Sequence, residues 1–239
     1  MTETLGFIKK LTSILAYSKI RSMSAEYDKT RQFKFTPWEF LAKLDLINWM
    51  RYAAIVKELT KIKPTSVLEV GPGEGVIKNV MKDFVERYDT LDVNPKLSPT
   101  YESNIRKFIA EASGKYDCVI AADILEHIPF EDLEIALKNL NAYLKPGSTA
   151  LITIPHRSHY LFFMTSWKHK PHIVRIPTLK WFLRPFGQKV AIDPDHQWET
   201  GDGKHKIKDV ENAMRKAGFK IERRQKLVYV DFWILKKYG

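Results

Sequence analysis

From Val67 to Ile154, short apolar runs alternate with segments of helical period, and no other feature restricts the fold as much. Val67-Leu-Glu-Val70 reads as a strand. A glycine-rich turn follows, then a helix over 76–87 with Val76, Ile77, Val80, Met81, Phe84 and Val85 inward. Thr90–Val93 is a second strand and Tyr116–Ala122 another. A helix over 130–144 stops before Pro146-Gly147, and 149–154 is strand again. Strands separated by helices predict a parallel sheet covered on both faces. Near the C-terminus a helix over 207–217 ends at Gly218. Phe219–Glu222 and Leu227–Leu235 then form two strands whose link is too short for a crossover helix, so they pair antiparallel.

The flanks read differently. Leu5, Ile8, Leu11 and Leu15 give residues 3–20 an amphipathic helical period. Thr36-Pro-Trp-Glu39 is a helix start, and that second helix is expected to run to Leu59. Residues 156–206 show no clear periodicity and are expected to hang over one end of the sheet. The resulting organisation is an N-terminal helical cap (1–63), a ligand-binding core (64–155), an insertion after the fifth strand (156–206) and the rest of the sheet (207–239). Charge follows the same division: net +6 over 1–66, −5 over 67–155 and +10 over 156–239. Residues 156–192 hold seven Lys/Arg, four His, seven aromatics and no acid, a field that attracts anions. With one cysteine, Cys118, an intramolecular disulfide is excluded and a cysteine-built zinc site disfavoured. No apolar run reaches the roughly 20 residues of a spanning helix, and no secretory signal opens the chain, so a soluble, cytoplasmic protein is expected.

The chemistry concentrates at Glu69-Val-Gly71-Pro72-Gly73-Glu-Gly75. A strand that ends in such a turn and opens a helix lets backbone approach a ligand at the carboxyl edge of the sheet. The dinucleotide fingerprint needs its third glycine at the sixth position, where this chain has Val76. Glu69 and Glu74 would also repel a pyrophosphate, whereas a cationic or zwitterionic ligand suits them.

These residues resemble the class I S-adenosylmethionine-dependent methyltransferases. Glu69-x-Gly71-x-Gly73-x-Gly75 is similar to the family's first motif, and Asp92, ending the second strand, matches its ribose-binding acid. Tyr116-Asp-Cys-Val-Ile-Ala-Ala-Asp-Ile-Leu-Glu-His-Ile128 resembles the fourth-strand motif of the small-molecule and lipid branch. Leu144-Lys-Pro-Gly147 and Lys216-Ala-Gly-Phe219 match two of its turns. The resemblance implies a Rossmann-like, doubly wound, mostly parallel seven-stranded sheet with an antiparallel C-terminal hairpin. It implies S-adenosyl-L-methionine as cofactor and S-adenosyl-L-homocysteine as product. The cofactor-binding residues it implies are Glu69, Gly71, Pro72, Gly73, Gly75, Asp92, Val93, Ala122 and Asp123.

The acceptor is read less directly. Asp123-Ile-Leu-Glu126 replaces the Asn/Asp-Pro-Pro-Tyr/Phe loop of enzymes that methylate base amines, which points to a small or lipidic acceptor. A hydroxyl acceptor needs a general base, and His156, His196 and His127 follow strands or lead back to the core, with His156 favoured. Asp123, Glu126, Asp193 and Asp195 show no fixed ligand spacing, so no metal is expected. The basic, aromatic insertion suits an acceptor with an apolar body and a negative group, or contact with an anionic membrane surface. An RNA-modifying enzyme that uses the insertion as a groove and a non-catalytic scaffold are the competing readings.

Overall fold

The structure, a computed structural model, describes residues 37–42, 44–156, 160–167, 170–177 and 192–238. Two compact units divide the chain at Lys43/Leu44. The amphipathic segment 3–20 and the aromatic-basic run 178–191 lie outside the described residues. Of the first unit the structure describes one short helix, α1 (Pro37–Ala42).

The single helix expected from Pro37 to Leu59 is two. The second, α2 (Leu46–Ile62), starts afresh because Asp45 caps it, its Oδ1 accepting the Asn48 N–H at 2.9 Å. Lys63 ends it in the left-handed conformation, φ 50°. Helix α2 belongs to the larger unit and buries Ile55 and Leu59 in its core.

That core surrounds a seven-stranded sheet built from β1 (Ser66–Val70), β2 (Arg87–Asp92), β3 (Tyr101–Glu102), β4 (Tyr116–Ala122), β5 (Leu144–Pro155), β8 (Phe219–Lys226) and β9 (Val230–Lys237). Its order is β3-β2-β1-β4-β5-β9-β8, with β9 antiparallel to β5 and β8 and the other pairs parallel. Every residue of β1 is buried, as expected of a central strand covered on both faces. Ile55, Leu59, Val67, Ile77, Met81, Cys118, Ile120 and Phe232 form one continuous apolar cluster. The remaining helices are α3 (Val76–Met81), α4 (Leu133–Tyr143) and α5 (Ile207–Lys216). Helix α4 buries Leu133, Ala136, Leu137, Leu140 and Tyr143, and α5 buries Val210 and Met214. Gly218, at φ +87°, ends α5 where the sequence places the stop.

Three local expectations are corrected, and one strand is added. Helix α3 has six residues and not twelve, and Val80 and Phe84 are exposed. The N–H groups of Glu86 and Arg87 both donate to Thr65 O at 3.0 Å, so the chain is drawn into β2 before a third helical turn can form. Strand β3, two residues long, carries too little pattern to be read from sequence. Leu144-Lys-Pro-Gly147 lies inside β5 as a bulge, where pairing jumps from Tyr116↔Leu144 to Cys118↔Thr149 and Gly147 adopts φ 71°. Part of the insertion is regular. β6 (Tyr160–Trp167) and β7 (Lys170–Pro177) pair antiparallel, with exposed Phe163 opposite exposed Val174.

Candidate active site

The strand order sets the location. Continuing outward from β1, one half of the sheet runs through β2 and β3 and the other through β4 and β5, so the connections leave β1 and β4 in opposite directions. A crevice opens at the carboxyl ends of such a pair.

The turn after β1 lines it. Gly71, Gly73 and Gly75 adopt φ of 64°, 52° and 72°, a region that side-chain-bearing residues avoid. The Gly71 N–H donates to Leu91 O at 2.9 Å, which ties the turn to β2. The Gly75 N–H donates to Pro72 O at 2.9 Å, and Gly75 O accepts the Asn79 N–H at the start of α3. A Cβ on Gly71 would land within the Ile124 side chain. The bare backbone is therefore required by local packing, and it leaves a cradle free of side chains.

Acidic groups flank the cradle. Glu69, in β1, is buried and accepts the Tyr88 hydroxyl at 2.8 Å; burial pushes its carboxyl up to about 7. Asp92 ends β2, where its Oδ1 accepts the Asn94 N–H at 2.8 Å and burial raises its pKa. Val93 follows it, half-buried. Across the crevice, Ala122 ends β4 and Asp123 turns the chain at φ 54°. The Asp123 N–H donates to Thr153 O at 3.1 Å, and its Oδ1 accepts the Thr153 hydroxyl at 2.6 Å. Its Oδ2 pairs with the Arg51 guanidinium and lies 3.1 Å from the Tyr229 hydroxyl. Asp123 is thus held on three sides, by α2, β5 and the link between β8 and β9.

Arg51 and Tyr229 escape the sequence reading. Arg51 occupies one position of an amphipathic helix and Tyr229 one of a three-residue link, and their shared partner is 72 and 106 residues away. Spacing carries no trace of that meeting.

The three candidate histidines separate. His127 and His196 come together, ring centroids 5.0 Å apart and nearly edge-on, although 69 residues divide them. The segment around His196 is sewn to the short turn after β4. The Gln197 N–H donates to Glu126 O at 2.9 Å, its Nε2 to His127 O at 3.0 Å, and Trp198 Nε1 to Ile128 O at 3.0 Å. His127 Nδ1 lies 2.9 Å from Asp195 O, and His196 Nδ1 2.8 Å from Glu199 Oε1. Burial lowers the pKa of His127. Fully buried Glu126 joins them, its carboxyl pushed up to about 8 by burial. His156, the favoured base, is not one of this group. It is buried just beyond β5, its N–H donating to Tyr229 O at 2.8 Å and its Nδ1 3.5 Å from the buried Asp231 carboxylate.

The sequence matches a family model described as a methyltransferase domain over residues 46–223. A curated relative, the ubiquinone biosynthesis O-methyltransferase of Vibrio parahaemolyticus, is 28% identical over 178 residues, 66% of this chain and 74% of that protein. Among solved structures, the N-methyltransferase NodS from Bradyrhizobium japonicum, in complex with S-adenosylhomocysteine, superposes with TM-score 0.60 at 11% identity. The match covers 87% of this chain and 96% of NodS. An S-adenosylmethionine-dependent methyltransferase from Clostridium acetobutylicum gives 0.54 at 13% identity, over 94% and 100% of the two chains. Sheet order, glycine cradle and family match agree: the chain belongs to the methyltransferase domain family, the class I S-adenosylmethionine-dependent methyltransferases that its sequence resembles.

Proposed function

We propose that the chain methylates a hydroxyl of a small acceptor with an apolar body and a negative group. The observation that carries this reading is one crevice edge bearing both a side-chain-free glycine turn, flanked by Asp92, and the Glu126–His127–His196 cluster. The cradle suits a cofactor that must touch backbone, since a Cβ at Gly71 has no room. In this reading Gly71, Pro72, Gly73 and Gly75 bind the methionine part. Asp92 takes the ribose diol as a two-oxygen acceptor, Glu69 braces the turn from below, and Val93, Ala122 and Asp123 border the rest. When bound, S-adenosylmethionine supplies a methyl group on a sulfonium, open to in-line displacement.

The protein's part is then placement and proton handling. Holding the acceptor oxygen on the sulfur–methyl axis supplies much of the acceleration. The acceptor hydroxyl loses its proton beside the Glu126–His127–His196 cluster, while His156 is a structural group paired with Asp231. The hydroxyl is favoured by the O-methyltransferase named among the relatives. The anionic, apolar character is supported by the acid-free basic segment 156–192 and by the exposed Phe163, Val174 and Ile176 of the hairpin. The same features support peripheral contact with an anionic membrane surface.

The test is incubation with S-adenosylmethionine and a panel of hydroxybenzoates, polyprenyl phenols, amines and a transfer-RNA mixture, with products read by mass. A gain of one methyl on hydroxylated anions supports the reading. Transfer to amines alone, or to RNA with a steep loss of activity in salt, overturns it.

A further inference from the structure

We infer that Glu126, His127 and His196 form a binding site for one divalent first-row transition ion. One ligand atom from each lies within 4.8 Å of one from each of the others. Ligands held about 2.1 Å from an ion stand at most about 4.2 Å apart, so slight side-chain rotation closes the set.

The polar atoms are arranged for a cation. Glu126 is fully buried, and among the described residues neither of its carboxylate oxygens accepts a hydrogen bond from another residue. Among the described residues, Arg51, whose charge acts on Glu126, has its guanidinium on Asp123. Both imidazoles are oriented by their Nδ1 atoms. The partner of His127 Nδ1 is the Asp195 carbonyl, which only accepts, so Nδ1 carries the proton and Nε2 the lone pair. The partner of His196 Nδ1 is the Glu199 carboxylate, with the same consequence. His196 Nε2 then faces Glu126 Oε1 at 3.9 Å, too far for a hydrogen bond. An imidazole lone pair facing a buried carboxylate, as His196 Nε2 faces Glu126, is repelled unless a proton or a cation lies between them. In metal sites a ligating imidazole usually donates its far N–H to a carbonyl or carboxylate, as both rings do here.

Two imidazoles and one carboxylate favour zinc or a neighbouring first-row ion over magnesium, and three protein ligands leave a coordination position open. Ile124, two residues before Glu126, packs against Gly71, so the site borders the glycine cradle. Resting on the proposed function in this respect alone, the open position assigns the ion to the acceptor hydroxyl, whose pKa it would lower. Spacing alone does not join the three, since the third ligand lies 69 residues from the second.

The test is a Co2+ titration of chelator-treated full-length protein, followed by visible d–d absorption, with no cofactor or acceptor present. The expected result is one equivalent bound with nitrogen–oxygen bands, displaced by Zn2+ and not by a large excess of Mg2+. Binding should weaken at least tenfold in Glu126→Gln and in His196→Ala, each checked for folding by circular dichroism. It should persist in the double variant His169→Ala/His172→Ala, which removes the other closely spaced histidines. No stoichiometric binding to wild type overturns the site, as does unchanged binding in Glu126→Gln and His196→Ala. Loss only in the His169/His172 variant does the same. Should the cluster variants fail to fold, Co2+-induced paramagnetic shifts of the His127 and His196 ring protons in wild type decide: their presence supports the site, their absence overturns it. Calorimetry with S-adenosylhomocysteine on the same metal-free protein tests the methyltransferase reading separately.

Discussion

Glu69→Gln should flatten the pH dependence of stability, and the structure sets the size of the effect. Glu69 sits in β1, an interior strand of the sheet, with 3% of its surface exposed, and its hydrogen bond comes from Tyr88, a group that a glutamine oxygen also accepts. Burial is the main cause of the rise in its pKa from 4.5 to about 7, opposed by the Tyr88 bond and by the charges of Lys78 and Arg51. The unfolded chain releases this proton near 4.5 and the folded one near 7. Between those values the folded protein binds more protons, so raising the pH favours unfolding. The stability associated with protonated Glu69 is complete below about pH 4.5 and is lost as pH rises towards 7. Over the two and a half pH units between these values, at about 1.4 kcal/mol per unit, wild type loses about 3 kcal/mol relative to the variant. Glu126 titrates in both proteins and cancels in the comparison. With a urea m-value of about 2 kcal/mol/M, the gap between the two midpoints should widen by about 1.5 M between pH 4.5 and 7.5. Parallel midpoint curves for the two proteins would refute the argument that Glu69 is held in a desolvated site.

Other consequences concern single positions. Gly71→Ala meets Ile124 and a positive φ together; it should cost about 3 kcal/mol in urea unfolding and remove S-adenosylhomocysteine binding in calorimetry. His196→Ala should lower kcat at least about a hundredfold, whereas His156→Gln should lower the melting temperature and leave kcat within about threefold. Comparable kcat losses in both would return His156 to the reaction. Reversing three insertion charges, Lys168→Glu, Lys170→Glu and Arg175→Glu, should raise the acceptor KM about tenfold or more. S-adenosylhomocysteine affinity should stay unchanged, and equal loss of both would count against an anionic acceptor.

The fold was largely legible because its signal is local. The strands β1 and β4, the stop at Gly218 and the antiparallel β8–β9 pair each follow from a run of side chains or the length of a link. Where neighbours in space decide, sequence reading fell short. Helix α3 stops early because Thr65 captures the next backbone N–H groups, and α2 restarts because Asp45 caps it. The glycine turn stands out because its three glycines alternate directly after a strand, and Asp92 because it ends the next strand. The Glu126–His127–His196 cluster does not, since it depends on three hydrogen bonds that fasten 197–198 to 126–128. For the same reason the buried pairing of His156 with Asp231, a residue of β9, leaves no trace in the sequence.

In the proposed function the glycine cradle and Asp92 hold the methyl donor. Calorimetric titration of wild type and Asp92→Ala with S-adenosylmethionine and S-adenosylhomocysteine tests it most directly. Both compounds should bind wild type saturably and one-to-one. Binding to the variant should be at least about a hundredfold weaker, the worth of two hydrogen bonds to a charged acceptor at about 1.5–3 kcal/mol each. Absence of binding to wild type, or equal affinity in the two proteins, would contradict it.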